Sequence, residues 1–189
     1  VSIERAVDTV ADPEVVEMNL LSAPGVTNQS LTKKMIDVCE SRGDCFTILD
    51  PVAYNSTLAQ ATARGEARDS NFAAMYWPWV KVPDSQLAGT QRWVPPSTVL
   101  GGIYAFNDRV AHPWFAPAGL NRGGITTAIQ AQRKLTQGNR DDLYDSNINP
   151  IATFPGQGVT VFGQKTLQKK ASALDLSLIH ISEPTRPVT

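Results

Sequence analysis

The amino-acid sequence predicts an α/β fold built on a parallel sheet. Three short apolar runs, ending at Leu21, Leu49 and Trp77, alternate with segments of helical periodicity. The chain has 189 residues, of which 42% are hydrophobic and 19% charged, so it can bury a substantial core. Strands that alternate with helices over such short distances pair in parallel through right-handed crossovers.

The first strand–helix–strand unit begins with Val15–Leu21, an apolar run that we interpret as a buried strand because a Pro-Gly turn signal follows it. A helix comes next, with Asn28 or Ser30 as its N-cap and Gly43 at its carboxyl end. Cys45–Leu49 is the second buried strand. The apolar residues of the helix fall on one stripe: Leu31, Met35, Ile36, Val38 and Cys39.

The central part of the chain continues the alternation. An Ala-rich helix is predicted from Ser56 to Arg64, with Gly65 as its stop. Phe72–Trp77 is the third strand, and it must end or lie at an edge because Pro78 has no N–H to donate. The residues from Pro83 to Trp93 are predicted to form a loop.

A longer helix is predicted to start within Pro95–Ser97 and to continue to Val110, since Pro95 or Pro96 suits the first helical turn, where an N–H is not needed. Gly101 and Gly102 lie inside this helix. Each glycine costs about 1 kcal/mol relative to alanine there, so we expect close packing at this point.

The pattern changes after a turn-rich connector at residues 112–124. A polar helix is predicted around Asp141 to Asn147, and residues 148–163 then alternate apolar and polar side chains around a Gly/Pro turn. We therefore predict an α/β domain over residues 1–146 and the start of a second, α+β domain over residues 147–175. The new domain begins with a β-hairpin that has at least one open edge and only partly covered apolar side chains.

Composition excludes several classes of function. The formal net charge is -1, which gives no electrostatic footprint for nucleic acid or for an anionic membrane. No apolar stretch approaches the roughly 18 residues of a membrane span. Two cysteines and two histidines leave little material for a disulfide scaffold or a zinc site. We therefore predict no cofactor and no metal.

Candidate catalytic groups all have simpler structural interpretations. The loop at Gly25 lacks the glycine pattern of a nucleotide site, although the helix that follows could attract an anion. Asp50 ends a strand at the edge where α/β proteins bind ligands, but Asp before Pro also initiates turns. His112 could act as a base or interact with a helix end, and the sequence has no nucleophile motif to accompany it.

Other polar and aromatic groups are similarly ambiguous. Cys39 and Cys45 lack redox spacing and are predicted to be buried thiols. Asp141 and Asp142 could bind a cation or favour the first turn of a helix. Four tryptophans could stack on a ligand, although anchoring in a core or an interface fits better because few basic residues accompany them: Trp77, Trp79, Trp93 and Trp114.

The two ends of the chain look unlike domain termini. The sequence begins at Val1, as if within a longer protein. Residues 176–186 read Leu-Ser-Leu-Ile-His-Ile-Ser-Glu-Pro-Thr-Arg, which resembles the translation of a transposon adapter used in sequencing libraries. We expect residues 176–189 to be non-native, and the natural sequence to continue differently after Asp175.

Several motifs resemble the tail sheath proteins of contractile phages. The segment from Asn147 to Leu167 is similar to the family pattern I-N-P-I…F-x-G-Q-G…V-x-G-x-K-T. Further similarities follow the family's order: Trp77–Val80, Val94–Ser97, Gly101–Asp108, Trp114–Gly119 and Arg122–Gly123. Together they cover roughly residues 15–175.

This resemblance implies a structural role and a fold. The family's central domain has a subtilisin-like topology without a protease triad. The protein would be a sheath subunit, not an enzyme, that polymerises in six-fold rings around the tail tube, contacts baseplate and tail terminator proteins, and contracts to drive the tube through the host envelope. It would assemble in the host cytoplasm and reside in the virion.

The resemblance leaves alternatives open. They are the sheath of a related injection system, such as a secretion machine or a tail-like bacteriocin, and a small-molecule-binding α/β enzyme. Because sheath subunits exchange strands, the apolar residues of the predicted hairpin are the candidate subunit interface: Ile148, Ile151, Phe154, Val159, Val161 and Phe162.

Overall fold

The computed structural model describes residues 2–111 and 116–170. The helices in these ranges are α1 (Ser2–Thr9), α2 (Gln29–Arg42), α3 (Leu58–Glu66), α4 (Pro96–Val110) and α5 (Gln137–Asp145). The strands are β1 (Leu20–Ser22), β2 (Phe46–Leu49), β3 (Ala73–Trp77), β4 (Val80–Pro83), β5 (Gln91–Val94), β6 (Gln130–Ala131), β7 (Ile148–Phe154) and β8 (Gly158–Val161).

The main sheet has five strands in the order β1-β2-β3-β7-β8. The first four run parallel to their neighbours, and only the last pair, β7 and β8, is antiparallel. The mostly parallel α/β architecture predicted from the strand–helix alternation is therefore confirmed.

Side chains of the sheet divide between two cores, one on each face. On β3, Ala73, Met75 and Trp77 belong to the core that also contains apolar residues of α2 and α5. Ala74 and Tyr76 belong to the opposite core, which contains Leu100 and Ile103 of α4. Since strand side chains alternate between faces, a strand covered by helices on both sides is apolar throughout, and all five residues of β3 are buried.

The prediction for α2 is confirmed in detail. The Asn28 side chain accepts hydrogen bonds from the backbone N–H groups of Ser30 and Leu31 at the helix start. Gly43 ends the helix in the left-handed conformation with φ 71°, and its N–H donates to the Cys39 carbonyl. Every residue of the predicted apolar stripe is buried.

The first strand is shorter and more exposed than predicted. Only Leu20–Ser22 are extended, and Leu20 at the sheet edge is 41% exposed. The preceding residues form turns that Arg42 holds in place. Its guanidinium donates to the Val10 and Val16 carbonyls at 2.7 and 2.9 Å, and it also pairs with both oxygens of Asp44. These long-range bonds stabilise a non-extended backbone.

Two predictions about helical glycines are wrong. Helix α3 continues through Gly65 to Glu66, because Gly65 serves as a point of close approach instead of a stop. A Cβ at this position would lie 2.1 Å from the Ser146 carbonyl oxygen. In α4, by contrast, no atom of the described residues lies within 4 Å of a Cβ at Gly101 or Gly102, so the expected close packing is absent in this part of the chain.

The predicted loop from Pro83 to Trp93 is partly a hairpin. Strands β4 and β5 pair antiparallel, and β6 joins the other side of β4 to give a second sheet in the order β5-β4-β6. The polar helix α5 also differs from expectation, since it begins four residues before Asp141.

The predicted hairpin at residues 148–163 is present, but it is not separate from the α/β sheet. Strand β7 pairs in parallel with β3, so the main sheet continues across the boundary that the sequence placed between residues 146 and 147. Four of its apolar residues are fully covered, not partly covered as expected, because both cores extend onto this hairpin: Ile148, Ile151, Val159 and Val161. The assignment of residues 147–175 to a second domain stays a prediction.

The expected open edge of the hairpin is also absent in the described residues. The connector segment 119–125 lies along the outer side of β8. The Gly119 N–H donates to the Val161 carbonyl, the Val161 N–H to the Gly123 carbonyl, and the Ile125 N–H to the Val159 carbonyl, at 2.7–2.8 Å. The chain thus covers this edge with its own backbone.

Candidate subunit interface at the hairpin

The six predicted interface residues fall into two groups. Ile148, Ile151, Val159 and Val161 are at most 2% exposed and lie in the chain's own cores. Phe162, just beyond β8, is 43% exposed, and Phe154 at the end of β7 is half-buried. Only these two phenylalanines are therefore placed where another molecule could contact them in this conformation.

Phe154 and Phe162 form an aromatic pair capped by an arginine. Their ring centroids are 5.2 Å apart. The Arg140 guanidinium of α5 lies 5.5 Å from one ring centroid and 5.8 Å from the other, within the range of cation–π attraction. The sequence did not reveal Arg140, because helix α5 meets the hairpin only in three dimensions.

A groove of about 620 Å³ adjoins this cluster. Its walls come from α5, the connector and the residue after β8, including Arg140, Asp141, Tyr144, Gly119 and Phe162. Aromatic side chains and arginine are enriched at the energetic centres of protein interfaces. The cluster has the composition of a protein-binding surface.

The Asp50 carboxylate is held by hydrogen bonds from two other segments of the chain. It accepts hydrogen bonds from the Ser97 hydroxyl at 2.6 Å, the Ser97 N–H at 3.1 Å and the Gly25 N–H at 2.9 Å. Pro95, the N-cap residue of α4, makes no side-chain cap bond, so Asp50 satisfies an N–H at that helix start from a distance in sequence. The carboxylate ties the β1–α2 turn to α4.

Burial raises the pKa of Asp50, although the hydrogen bonds from Ser97 and Gly25 oppose the rise. Asp50 is 2% exposed. A serine and an aspartate in contact could suggest hydrolytic chemistry, but a nucleophilic serine needs a base that removes its proton. His112, the candidate base, lies outside the described residues.

The two cysteines are buried free thiols, as predicted. Their Sγ atoms are 3.2 Å apart. The hydrogen bond that the two thiols share, together with burial, raises the pKa of Cys39, and the same bond lowers the pKa of Cys45. A protonated, buried thiol such as Cys39 is a poor nucleophile.

The tryptophans contribute to core and surface clusters. Trp77 is buried in the main sheet. Tyr54 contacts Trp79 and Trp93 with ring centroids 5.6 and 5.8 Å away, and Lys81 lies 5.5 Å from the Trp93 centroid. Trp114 lies outside the described residues, so its predicted anchoring role stays a prediction.

Residues 2–111 and 116–170 contain no group of three or more His, Cys, Asp or Glu side chains that could hold a metal ion. Asp141 and Asp142 lie in the middle of α5, not in its first turn as expected. No helix in the same ranges is both long enough and apolar enough to cross a bilayer.

Comparison with known families gives an extensive match. The family model described as the phage tail sheath protein central domain matches residues 1–167. The tail sheath protein of Vibrio phage KVP40 is 29% identical over 196 residues, which cover 89% of this chain and 29% of that protein. The tail sheath protein of Enterobacteria phage T4 is 29% identical over 198 residues, with 90% and 29% covered. The chain thus spans less than a third of these relatives.

Solved structures of sheath proteins have folds similar to that of this chain. The sheath complex of PVC, an extracellular contractile injection system in its contracted state, has a TM-score of 0.70 at 25% identity, covering 93% of this chain and 47% of that one. The crystal structure of a sheath tail protein from Desulfitobacterium hafniense has a TM-score of 0.61 at 12% identity, with 96% and 40% covered.

Proposed function

The chain belongs to the family of phage tail sheath protein central domains, and from this we propose that it is part of a structural subunit of a contractile tail sheath. The observation that carries the proposal is the match of residues 1–167, which includes both the α/β sheet and the hairpin. In this role the subunit polymerises around the tail tube in six-fold rings. Contraction then drives the tube through the host envelope.

The proposed partners are further copies of the subunit, the tail tube protein, and the baseplate and tail terminator proteins. The proposed location is the phage tail of the virion, after assembly in the host cytoplasm. Nucleic acid is not among these partners, and the role involves no insertion into a membrane. The near-neutral charge of -1 is compatible with close packing of identical copies.

A second candidate function is the sheath of a related contractile injection system, such as a secretion machine or a tail-like bacteriocin. The likeness to the contracted PVC sheath complex, with a TM-score of 0.70, favours keeping this alternative. Both functions need the same subunit chemistry and differ in whether a genome is delivered.

We assign the six hairpin residues two different parts in assembly. Phe154 and Phe162 are the proposed contact residues, since both lie at the surface beside Arg140. The buried residues support the hairpin from beneath: Ile148, Ile151, Val159 and Val161.

Electron microscopy of the full-length protein that carries this segment tests the proposal. We expect purified protein to form tubular or ring-shaped assemblies with six-fold symmetry. Co-expression with a matching tail tube protein should give tubes of regular diameter. A protein that stays monomeric in the presence of tube and baseplate proteins would contradict the sheath role.

The role requires no catalysis by the chain. The carboxylate and hydroxyl that come together, Asp50 and Ser97, are occupied in holding α4 to the β1–α2 turn. Purified protein should match a buffer blank with peptide, ester and nucleotide substrates. Turnover that disappears in Ser97→Ala would show that this pair acts chemically.

A further inference from the structure

An acidic turn precedes β1 at one edge of the main sheet. Residues 12–17, here called the acidic turn, read Asp-Pro-Glu-Val-Val-Glu. The Asp12 carboxylate accepts from the Glu14 N–H at 2.9 Å, and the Asp12 carbonyl accepts from the Val15 and Val16 N–H groups. This compact backbone turns the Val15 side chain outward, and it is 70% exposed.

Arg42 holds the backbone of the acidic turn in one defined conformation. Its side chain is 1% exposed, and it bonds to the Val16 carbonyl within the turn and to the Val10 carbonyl just before it, which holds the turn against α2. Glu14 and Glu17 are exposed, and neither has an ion pair within the described ranges. The turn thus presents carboxylates and one apolar side chain without the entropy cost of ordering a loose loop.

The groove beside Phe162 contains a guanidinium group next to exposed apolar side chains. Within residues 2–111 and 116–170 no carboxylate pairs with Arg140, whose guanidinium donates to the Leu135 carbonyl at 3.2 Å and lies over two aromatic rings. The Asp141 carboxylate also lines the groove and lowers its positive charge. Exposed apolar surface lies nearby, since the exposed fraction is 43% for Phe162 and 47% for Leu120.

The two surfaces lie at opposite edges of one sheet. The acidic turn leads into β1, and the groove adjoins β8, with three strands between them. At about 4.8 Å per strand spacing, the edges are roughly 19 Å apart. Charge follows the same division, because residues 2–50 carry nine acidic and four basic side chains, whereas residues 116–170 carry three acidic and seven basic ones.

We propose that the acidic turn of one copy docks into the Arg140 groove of the next copy, with Val15 against Phe162 and the Glu14 and Glu17 carboxylates near the Arg140 guanidinium. This interface rests on the proposed sheath function and identifies one of its subunit contacts. A surface that binds a different surface of an identical molecule makes a head-to-tail contact, and repeated head-to-tail contacts generate rings or helices.

Charge reversal in the full-length protein tests the contact. Arg140→Glu, and separately Glu14→Lys with Glu17→Lys, should weaken association at least about tenfold in sedimentation experiments. Mixing the two variants should restore association between unlike copies, because the mixed contact again pairs opposite charges. Lys134→Glu, and separately Glu40→Lys with Asp108→Lys, are the matched controls, since they make the same charge changes at exposed positions outside both surfaces.

The outcomes separate this contact from the sheath role itself. Wild-type assembly that persists unchanged in Arg140→Glu, or a mixture that fails to recover, would overturn the contact while leaving the sheath function intact. Failure of the wild type to assemble at all would contradict both.

A cross-linking experiment covers the case in which a charge variant fails to fold. Val15→Cys and Phe162→Cys copies are mixed and treated with diamide, which oxidises two neighbouring thiols to a disulfide. We expect a covalent dimer from the mixture and little from either variant alone. Equal dimer yield from Leu87→Cys, an exposed position on the β4–β5 loop, paired with Phe162→Cys would show that the docking is not specific.

Discussion

At the scale of single residues, Asp50 is a buried polar side chain whose loss should destabilise the protein. It accepts three hydrogen bonds from Ser97 and Gly25 while almost fully buried. Asp50→Ala leaves those donors without an acceptor, so we expect the free energy of unfolding to fall by about 2–4 kcal/mol. Urea denaturation measures this decrease in the free energy of unfolding. The control is Asp37→Ala, which removes an exposed ion pair with Lys33 and should cost at most about 1 kcal/mol.

Asp50 should also make stability depend on pH. Burial raises its folded-state pKa above the ordinary value of about 4, so ionisation is less favourable in the folded than in the unfolded chain. The stabilising contribution of the protonated group is complete below about pH 4 and declines as pH rises through the raised pKa. As pH rises above about 4, the free energy of unfolding of the wild type should therefore fall relative to that of Asp50→Asn. A difference that stays constant over this range would contradict the burial effect.

At the scale of elements, two helical glycines should respond oppositely to alanine. A Cβ at Gly65 of α3 would lie 2.1 Å from the Ser146 carbonyl oxygen and 2.9 Å from Ile148, so Gly65→Ala should destabilise by about 3 kcal/mol. Gly101 of α4 has open space, and Gly101→Ala should stabilise by about 0.5–1 kcal/mol. Thermal unfolding of both variants measures these two changes in stability. If both substitutions stabilise the protein, α3 can move away from the hairpin.

Elements with local signals could be predicted from sequence, and elements fixed by distant contacts could not. Helix α2 has its cap at Asn28 and its end at Gly43, both next to the helix in the chain. The shortening of β1 depends on bonds from Arg42, which is 26 residues beyond Val16. The same holds for the candidate groove. The alternating apolar pattern of the hairpin predicted Phe162, whereas Arg140 lies on α5 and meets Phe162 only in the folded chain.

At the scale of the whole molecule, the hairpin and the preceding strands should fold together. Ile148 and Ile151 are completely buried, one in each core, and β7 is the strand that pairs with β3 on the side away from β2. A chain ending at residue 146 would expose both cores, so we expect it to lose cooperative thermal unfolding by circular dichroism. A chain ending at residue 170 should keep it. If residues 1–146 unfold cooperatively alone, the hairpin belongs to a separate domain, as the sequence predicted.

The backbone that covers β8 also affects how the protein behaves at high concentration. A bare sheet edge is a template on which another chain can add a strand, and such growth leads to fibrous aggregates. Connector 119–125 already occupies the hydrogen-bonding groups of Val161 and the Val159 carbonyl, and the opposite edge strand, β1, is only three residues long. We therefore expect concentrated solutions of this chain not to grow by strand addition along β8.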